Sequence, residues 1–147
     1  MSAPPSLDEG RPTPAAIVGV ALVVGSAALS AFIEALLVPL YAGRYIVPIA
    51  VVLAVVGNVV FPRLARQLVP TTLATVLPLI AWLVIMIGFG VYTRPEGDVI
   101  LPGAPTAAEW VTYGVLLGGA VAGTVTIVMT MPPPNQKKPG PESGLNR

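Results

Sequence analysis

The chain has 147 residues, of which 54% are hydrophobic and 10% are charged, whereas soluble domains carry roughly 25% charged residues. Together with a mean hydropathy of +0.81, this composition requires more apolar burial than one small soluble core provides, and it predicts an integral membrane protein. The chain has no Cys and no His, which excludes disulfides, thiolate or imidazole metal sites and His-based catalytic triads. A net charge of +1 is too small to indicate a nucleic-acid-binding protein.

Four segments are apolar over a length close to the roughly 20 residues that a membrane-spanning helix needs. They are residues 15–40, in which Glu34 is the one charge, residues 45–61, residues 71–93 and residues 108–131. Neighbouring segments joined by short connections run in opposite directions through a bilayer. The sequence therefore predicts an all-α fold, an antiparallel four-helix transmembrane bundle.

The connections contain residues that favour turns or end helices. A tight turn at residues 41–44 separates the first two segments, and Pro48 lies in the first turn of the second helix, where its missing N–H costs little. Pro62 and Pro70 bracket the second connection. The third connection, residues 94–105, has the Pro, Gly and Asp content of an irregular loop and is the longest.

Both ends of the chain are polar. Residues 1–14 and 132–147 are rich in Pro, Gly and polar side chains and carry too little apolar area to offset the entropy of ordering, so we expect two disordered tails. Residues 28–31 loosely resemble a signal-peptide cleavage site. The apolar stretch continues well past that point and is longer than a signal's apolar region, so we expect the first segment to be retained as a helix.

The distribution of positive charge predicts the orientation, because Lys and Arg are retained on the cytoplasmic side. Six of the eight basic residues fall on the side of the two tails: Arg11, Arg63, Arg66, Lys137, Lys138 and Arg147. The other side has Arg44 and Arg94, and it also collects the aromatic residues typical of a membrane interface: Tyr41, Tyr45, Tyr92, Trp110 and Tyr113. We expect cytoplasmic termini and, from the abundance of Ala, Val, Gly and Pro and the preference for Arg over Lys, a bacterial inner (plasma) membrane.

Glu34 is the candidate functional residue, because a carboxylate inside a lipid-spanning helix is costly. Ser26, Ser30 and Glu34 are spaced four residues apart and, with Gly19 and Ala27, predict one small and polar face on the first helix. We expect this face to point into the bundle.

Two roles for Glu34 remain open at this stage. It could be a proton or cation site of a carrier. Alternatively, it could form an ion pair near the interface with Arg44, which follows ten residues later across the tight turn, and so hold the first two helices together. We favour the structural interpretation.

Other residues within or beside the spans have packing or topogenic interpretations. Asn58 could form a hydrogen bond between helices, but packing is the interpretation that we favour. Arg63 and Arg66 could bind anionic lipid or a partner, although two arginines are also the ordinary signal of a cytoplasmic loop. Pro78 should kink the third helix, and Trp82, near mid-span, either contacts a partner or fills core space.

The fourth helix holds two consecutive small-residue motifs of the GxxxG type, Gly114 with Gly118 and Gly119 with Gly123. Such motifs allow the backbone of another helix to approach closely. The two motifs fall on adjacent faces of the helix. One could therefore pack within the bundle while the other serves a self-dimer or a different subunit.

Four short helices, with Glu34 in the first and glycine motifs in the fourth, resemble in architecture the small multidrug resistance exporters, which are dimeric proton-coupled carriers. The resemblance implies a coupling role for Glu34. In that family the essential glutamate lies near the middle of an aromatic-rich first helix, whereas Glu34 lies late in its segment and the chain has longer tails.

From these observations we expect a non-catalytic accessory, assembly or interaction subunit of a larger membrane complex. We expect it to contact the lipid bilayer and either other integral membrane subunits or copies of itself, with no cofactor, no metal and no nucleic acid. The alternative is a small oligomeric transporter or channel with Glu34 as its proton or cation site. An enzyme ranks last, because we find no nucleophile, base or metal cluster in the sequence.

Overall fold

The computed structural model describes residues 12–38, 40–42, 45–91 and 107–131. Within these ranges the chain forms four α-helices and two strands of two residues each, in the order α1 (Pro14–Leu37), β1 (Tyr41–Ala42), β2 (Tyr45–Ile46), α2 (Ile49–Leu68), α3 (Thr72–Val91) and α4 (Ala107–Thr130). All four helices are long and apolar enough to cross a membrane. The all-α, four-helix prediction is confirmed. The predictions for most of both tails, for the long third connection and for Arg44 lie outside the described residues.

The first helix begins at a regular N-cap. The Thr13 hydroxyl accepts a hydrogen bond from the Ala16 backbone N–H at 3.2 Å, and Pro14 occupies the first turn, where an N–H has no helical partner. The helix ends at Leu37, where the sequence predicted Leu40. It stops earlier because the Leu40 carbonyl accepts the Val47 N–H at 2.9 Å, which commits Leu40 to the connection.

The first connection is a short antiparallel hairpin in which Tyr41 pairs with Ile46 and Ala42 with Tyr45. The sequence predicted a tight turn here and a second helix that begins at Tyr45. Because Tyr45 and Ile46 pair with β1, the helix begins later, at Ile49. The hairpin brings the end of α1 directly to the start of α2.

The second helix runs to Leu68, although the sequence placed its end at Phe61. The sequence predicts a helix end at Pro62, whereas the structure places Pro62 inside α2, where it is buried. A proline removes only one backbone hydrogen bond, and a packed membrane helix can accommodate that loss. Arg63 is exposed and Arg66 half-buried. Their long side chains can extend towards the membrane surface, so both belong to the last turns of α2 rather than to a loop.

Contacts between helices indicate how the helices run. A Cβ atom on Gly19, near the start of α1, would lie 3.0 Å from Leu68 at the end of α2. A Cβ atom on Gly114, in the first half of α4, would lie 2.9 Å from Val51 in the first turn of α2. A second contact lies four residues further along α2 and α4, where a Cβ atom on Gly118 would be 3.3 Å from Val55, so these two helices run in the same direction. Between α1 and α2 the second contact joins Gly57 to Ser30, earlier in α2 and later in α1, so these two run in opposite directions, which fits the antiparallel order expected from the short connections.

The core is narrow and rich in small side chains. Its buried members are Ala31, Ala35, Val38, Ala50, Ala54, Leu79, Trp82, Met86, Val111, Val115 and Ile127. The alanines allow α1 and α2 to approach other helices closely. Most large aliphatic side chains point outwards instead, among them Leu22, Leu73, Val84, Leu117 and Val128. Such a surface suits a lipid environment and would be unusual for a soluble monomer.

Candidate functional site

The candidate site is the Glu34 carboxyl group, which is fully buried inside the bundle. Both of its oxygens accept hydrogen bonds. The Ser30 hydroxyl donates to Oε1 at 2.7 Å, and the Trp82 indole Nε1–H donates to Oε2 at 2.7 Å. The second bond joins α1 to α3 through two side chains that are far apart in the sequence.

Helical spacing brings these groups together. Ser30 precedes Glu34 by four residues and therefore lies on the same side of α1. On α3, Leu79, Trp82 and Met86 are separated by three and four residues, and all three are buried, so they form one inward face. Trp82 is therefore part of the core-facing side of α3, where its indole N–H needs an acceptor because no water is available.

Glycines from the other two helices complete the site. A Cβ atom on Gly119 of α4 would lie 2.6 Å from Cη2 and 2.7 Å from Cζ2 of Trp82, which is too close for any side chain. A Cβ atom on Gly57 of α2 would lie 3.5 Å from the Ser30 hydroxyl oxygen. We call Ser30, Glu34, Gly57, Trp82 and Gly119 the Glu34 cluster; all four helices meet there.

Asn58 lies beside the Glu34 cluster and is buried. The sequence allowed a hydrogen bond from Asn58 to another helix but favoured a packing role. Its side-chain nitrogen instead donates to the Ala54 carbonyl, one turn earlier in the same helix, at 2.9 Å. A Cβ atom on Gly119 would come within 3.1 Å of the same nitrogen, so the amide group packs against α4 while it bonds within α2.

The predicted polar face of α1 is only partly correct. Ala27 and Glu34 are buried, and Gly19 and Ser30 are half-buried, but Ser26 is exposed. At about 100° per residue, Ser26 lies about 80° around the helix from Glu34. A four-residue spacing drifts away from the buried side of α1 over two steps, and Ser26 therefore faces outwards.

The proposed ion pair between Glu34 and Arg44 remains a prediction, because Arg44 lies outside the described residues. The two donors that the structure places on Glu34 are neutral groups. Sequence analysis missed the contact between Trp82 and Glu34. One signal for it was available: a tryptophan in the middle of a span, away from the interfacial aromatic residues, carries an N–H that must find an acceptor within the protein.

Both glycine motifs of α4 face helices of the same chain. Cβ atoms on Gly114 and Gly118 would lie 2.9 and 3.3 Å from valine side chains of α2. Gly119 packs against the indole ring of α3 as described above, and a Cβ atom on Gly123 would lie 2.6 Å from Leu79 of α3. The sequence left open whether one motif serves a dimer or another subunit, and the structure places both motifs within the bundle.

The part of the chain that the structure describes contains no group of three or more Asp, Glu, Cys or His residues that could hold a metal ion. Comparisons with protein-family models, curated proteins and solved structures find no match for this chain. Its function is therefore argued from the geometry of the Glu34 cluster and from the surface of the bundle.

Proposed function

We propose that this chain is a non-catalytic accessory or assembly subunit of a larger membrane complex, in which Glu34 holds the bundle together. The observation that supports this role is the complete burial of Glu34, with both carboxyl oxygens bonded inside the chain. A general base or a coupling site must be reached by its substrate or by water. In this arrangement the carboxyl group links α1 to α3 and is reached neither by a substrate nor by water.

The outer surface of the bundle offers positions for a partner helix. Both motifs of α4 are used internally, but Cβ atoms on Gly25 of α1 and Gly88 of α3 would meet no atom of the described residues within 4 Å, and Ser26 next to Gly25 is exposed. Small residues that face lipid allow the backbone of another helix to come close. These positions support association with other integral membrane proteins.

Native mass spectrometry tests this proposal. The chain is extracted from its own membrane in mild detergent, and its stoichiometry and attached subunits are measured together. We expect a fixed ratio to one or more other integral membrane proteins. Gly25→Leu should reduce that association because it fills the open position, whereas Leu22→Phe, an exchange between two large apolar residues at another exposed site, should not. Recovery of the chain alone, or only as a homo-oligomer, contradicts the proposal.

A small transporter or channel is the second candidate, and one observation favours it. Glu34 is a carboxyl group buried in a helix apolar enough to span a membrane, and ionisable residues inside membrane spans are often part of proton or ion pathways. This function requires a second conformation in which water reaches Glu34, because the carboxyl group is inaccessible in the described one.

Flux measurements in liposomes separate the two functions. Glu34→Gln is the informative variant, because the amide can donate to the Ser30 oxygen and accept from the Trp82 N–H and so retain both contacts. Proton-coupled or ion flux that this variant abolishes, while the protein remains folded, would replace the accessory role by transport. Absence of flux from the unmodified protein rules out the transporter.

A further inference from the structure

A basic cleft opens where α2 and α4 end at the same side of the bundle. Its lining residues are Arg63, Arg66, Gln67 and Thr130, and its volume is about 370 Å³. At ~30 Å³ per water molecule, this volume corresponds to about twelve waters, more than a single small ion fills. The Glu34 cluster does not take part in this cleft.

The donors that reach the cleft come from α2. Arg66 and Gln67 follow Arg63 by three and four residues, so both lie close to it on the helix surface. Thr130 differs, because its hydroxyl donates to the carbonyls of Thr126 and Ile127 at 2.8 and 3.0 Å and so bonds within α4. Two guanidinium groups and one amide therefore offer hydrogen-bond donors to a ligand that is rich in acceptors.

The charge of the cleft is not balanced by a described carboxylate. Within residues 12–38, 40–42, 45–91 and 107–131 the acidic side chains are Glu34 and Glu109. Glu34 is buried in its own cluster, and Glu109 lies in the first turn of α4, about 30 Å along the helix from Thr130. An anionic group with several oxygens, above all a phosphate, matches two guanidinium groups in charge and geometry.

We propose that this cleft binds a phosphate group and that an anionic phospholipid supplies it. Leu64, which follows Arg63 on α2, and Val128 and Met129, which precede Thr130 on α4, are exposed apolar side chains. A phospholipid can place its phosphate on the arginines and its acyl chains along these side chains, whereas free phosphate uses only the polar part. The proposal does not depend on the accessory role.

The test measures lipid binding to the full chain in detergent by native mass spectrometry, where the orientation of the protein in a membrane has no effect. The probes are phosphatidylglycerol, phosphatidylcholine and inorganic phosphate. We expect tighter binding of phosphatidylglycerol than of phosphatidylcholine. The double variant Arg63→Gln and Arg66→Gln should weaken phosphatidylglycerol binding by about 5-fold for each arginine removed.

The matched control is the double variant Lys137→Gln and Lys138→Gln, which also removes two positive charges, but from the C-terminal tail. It should leave phosphatidylglycerol binding unchanged. Arg63→Gln alone affects an exposed side chain, so it should remain folded and still lose about 5-fold. Equal losses in the two double variants, or no preference for phosphatidylglycerol, overturn the proposal. Displacement of the lipid by millimolar inorganic phosphate overturns the lipid source and assigns the cleft to free phosphate.

Discussion

Gly119→Ala is the sharpest test of the packing around the Glu34 cluster. The new Cβ atom would lie 2.6 and 2.7 Å from two carbons of the Trp82 ring. A flexible side chain could move its end away, but the indole is rigid and its N–H is bonded to Glu34 at 2.7 Å on the α1 side. The ring can therefore yield only by weakening that hydrogen bond or by pushing α3 and α4 apart.

The magnitude follows from two opposing terms. Overpacking a filled core costs about 1–3 kcal/mol, while alanine in place of glycine stabilises a helix by about 0.5–1 kcal/mol. We expect Gly119→Ala to lower the free energy of unfolding by about 1 kcal/mol, the difference between the midpoints of these ranges, and by at most about 2.5 kcal/mol. Gly88→Ala is the matched control, because no atom in the part of the chain that the structure describes lies within 4 Å of its Cβ position; it should be neutral or slightly stabilising.

The assay is unfolding in mixed micelles by titration with SDS, followed by far-ultraviolet circular dichroism. Gly119→Ala should also be repeated in a Trp82→Phe background, which removes the ring carbons that the new Cβ atom meets. The cost of Gly119→Ala should then fall, with a coupling free energy of about 0.5–3 kcal/mol. Equal stability of Gly119→Ala and Gly88→Ala, or additive effects in the double variant, would refute this account of the packing.

Three further predictions concern the same bundle. Trp82→Phe removes a hydrogen-bond donor from the buried Glu34 carboxyl group and should lower the free energy of unfolding by about 1–3 kcal/mol. Glu34→Gln should lower the free energy of unfolding by less than about 1 kcal/mol. Titration with SDS measures both. Gly123→Ala meets the flexible end of a leucine and should therefore destabilise less than Gly119→Ala in the same assay. Ser6→Cys and Ser143→Cys, in a chain without other cysteines, should react with a membrane-impermeant maleimide from the same side; labelling from opposite sides contradicts an even number of spans.

Hydropathy alone was sufficient to predict the number of helices and most of their bounds. The bounds of α1, α3 and α4 lie within three residues of the prediction, because apolar composition decides where a chain enters lipid. For α2 the same reasoning was wrong by seven residues at the C-terminal end. The sequence predicts a loop at Pro62, Arg63 and Arg66. A helix tolerates the one backbone hydrogen bond that a proline removes, and it tolerates arginines whose side chains extend to the membrane surface, so α2 continues through all three.

The candidate site could be predicted only in part. The sequence identified Glu34 and its local partner Ser30, since both lie on one helix and their spacing fixes their relation. The contact with Trp82 depends on how α1 and α3 are rotated against each other, which hydropathy does not specify. For the same reason, the sequence could not assign the two glycine motifs of α4 to neighbours inside or outside the bundle, whereas the structure places both against helices of this chain.

The two hydrogen bonds to Glu34 also differ in when they can form during synthesis. Ser30 lies four residues before Glu34 and is in place as soon as α1 is helical. Trp82 is translated 48 residues after Glu34, which at about 5–20 residues per second means a delay of about 2–10 s. During this interval the first helix holds a half-satisfied carboxyl group, and we expect it to stay beside the insertion machinery until the third helix arrives.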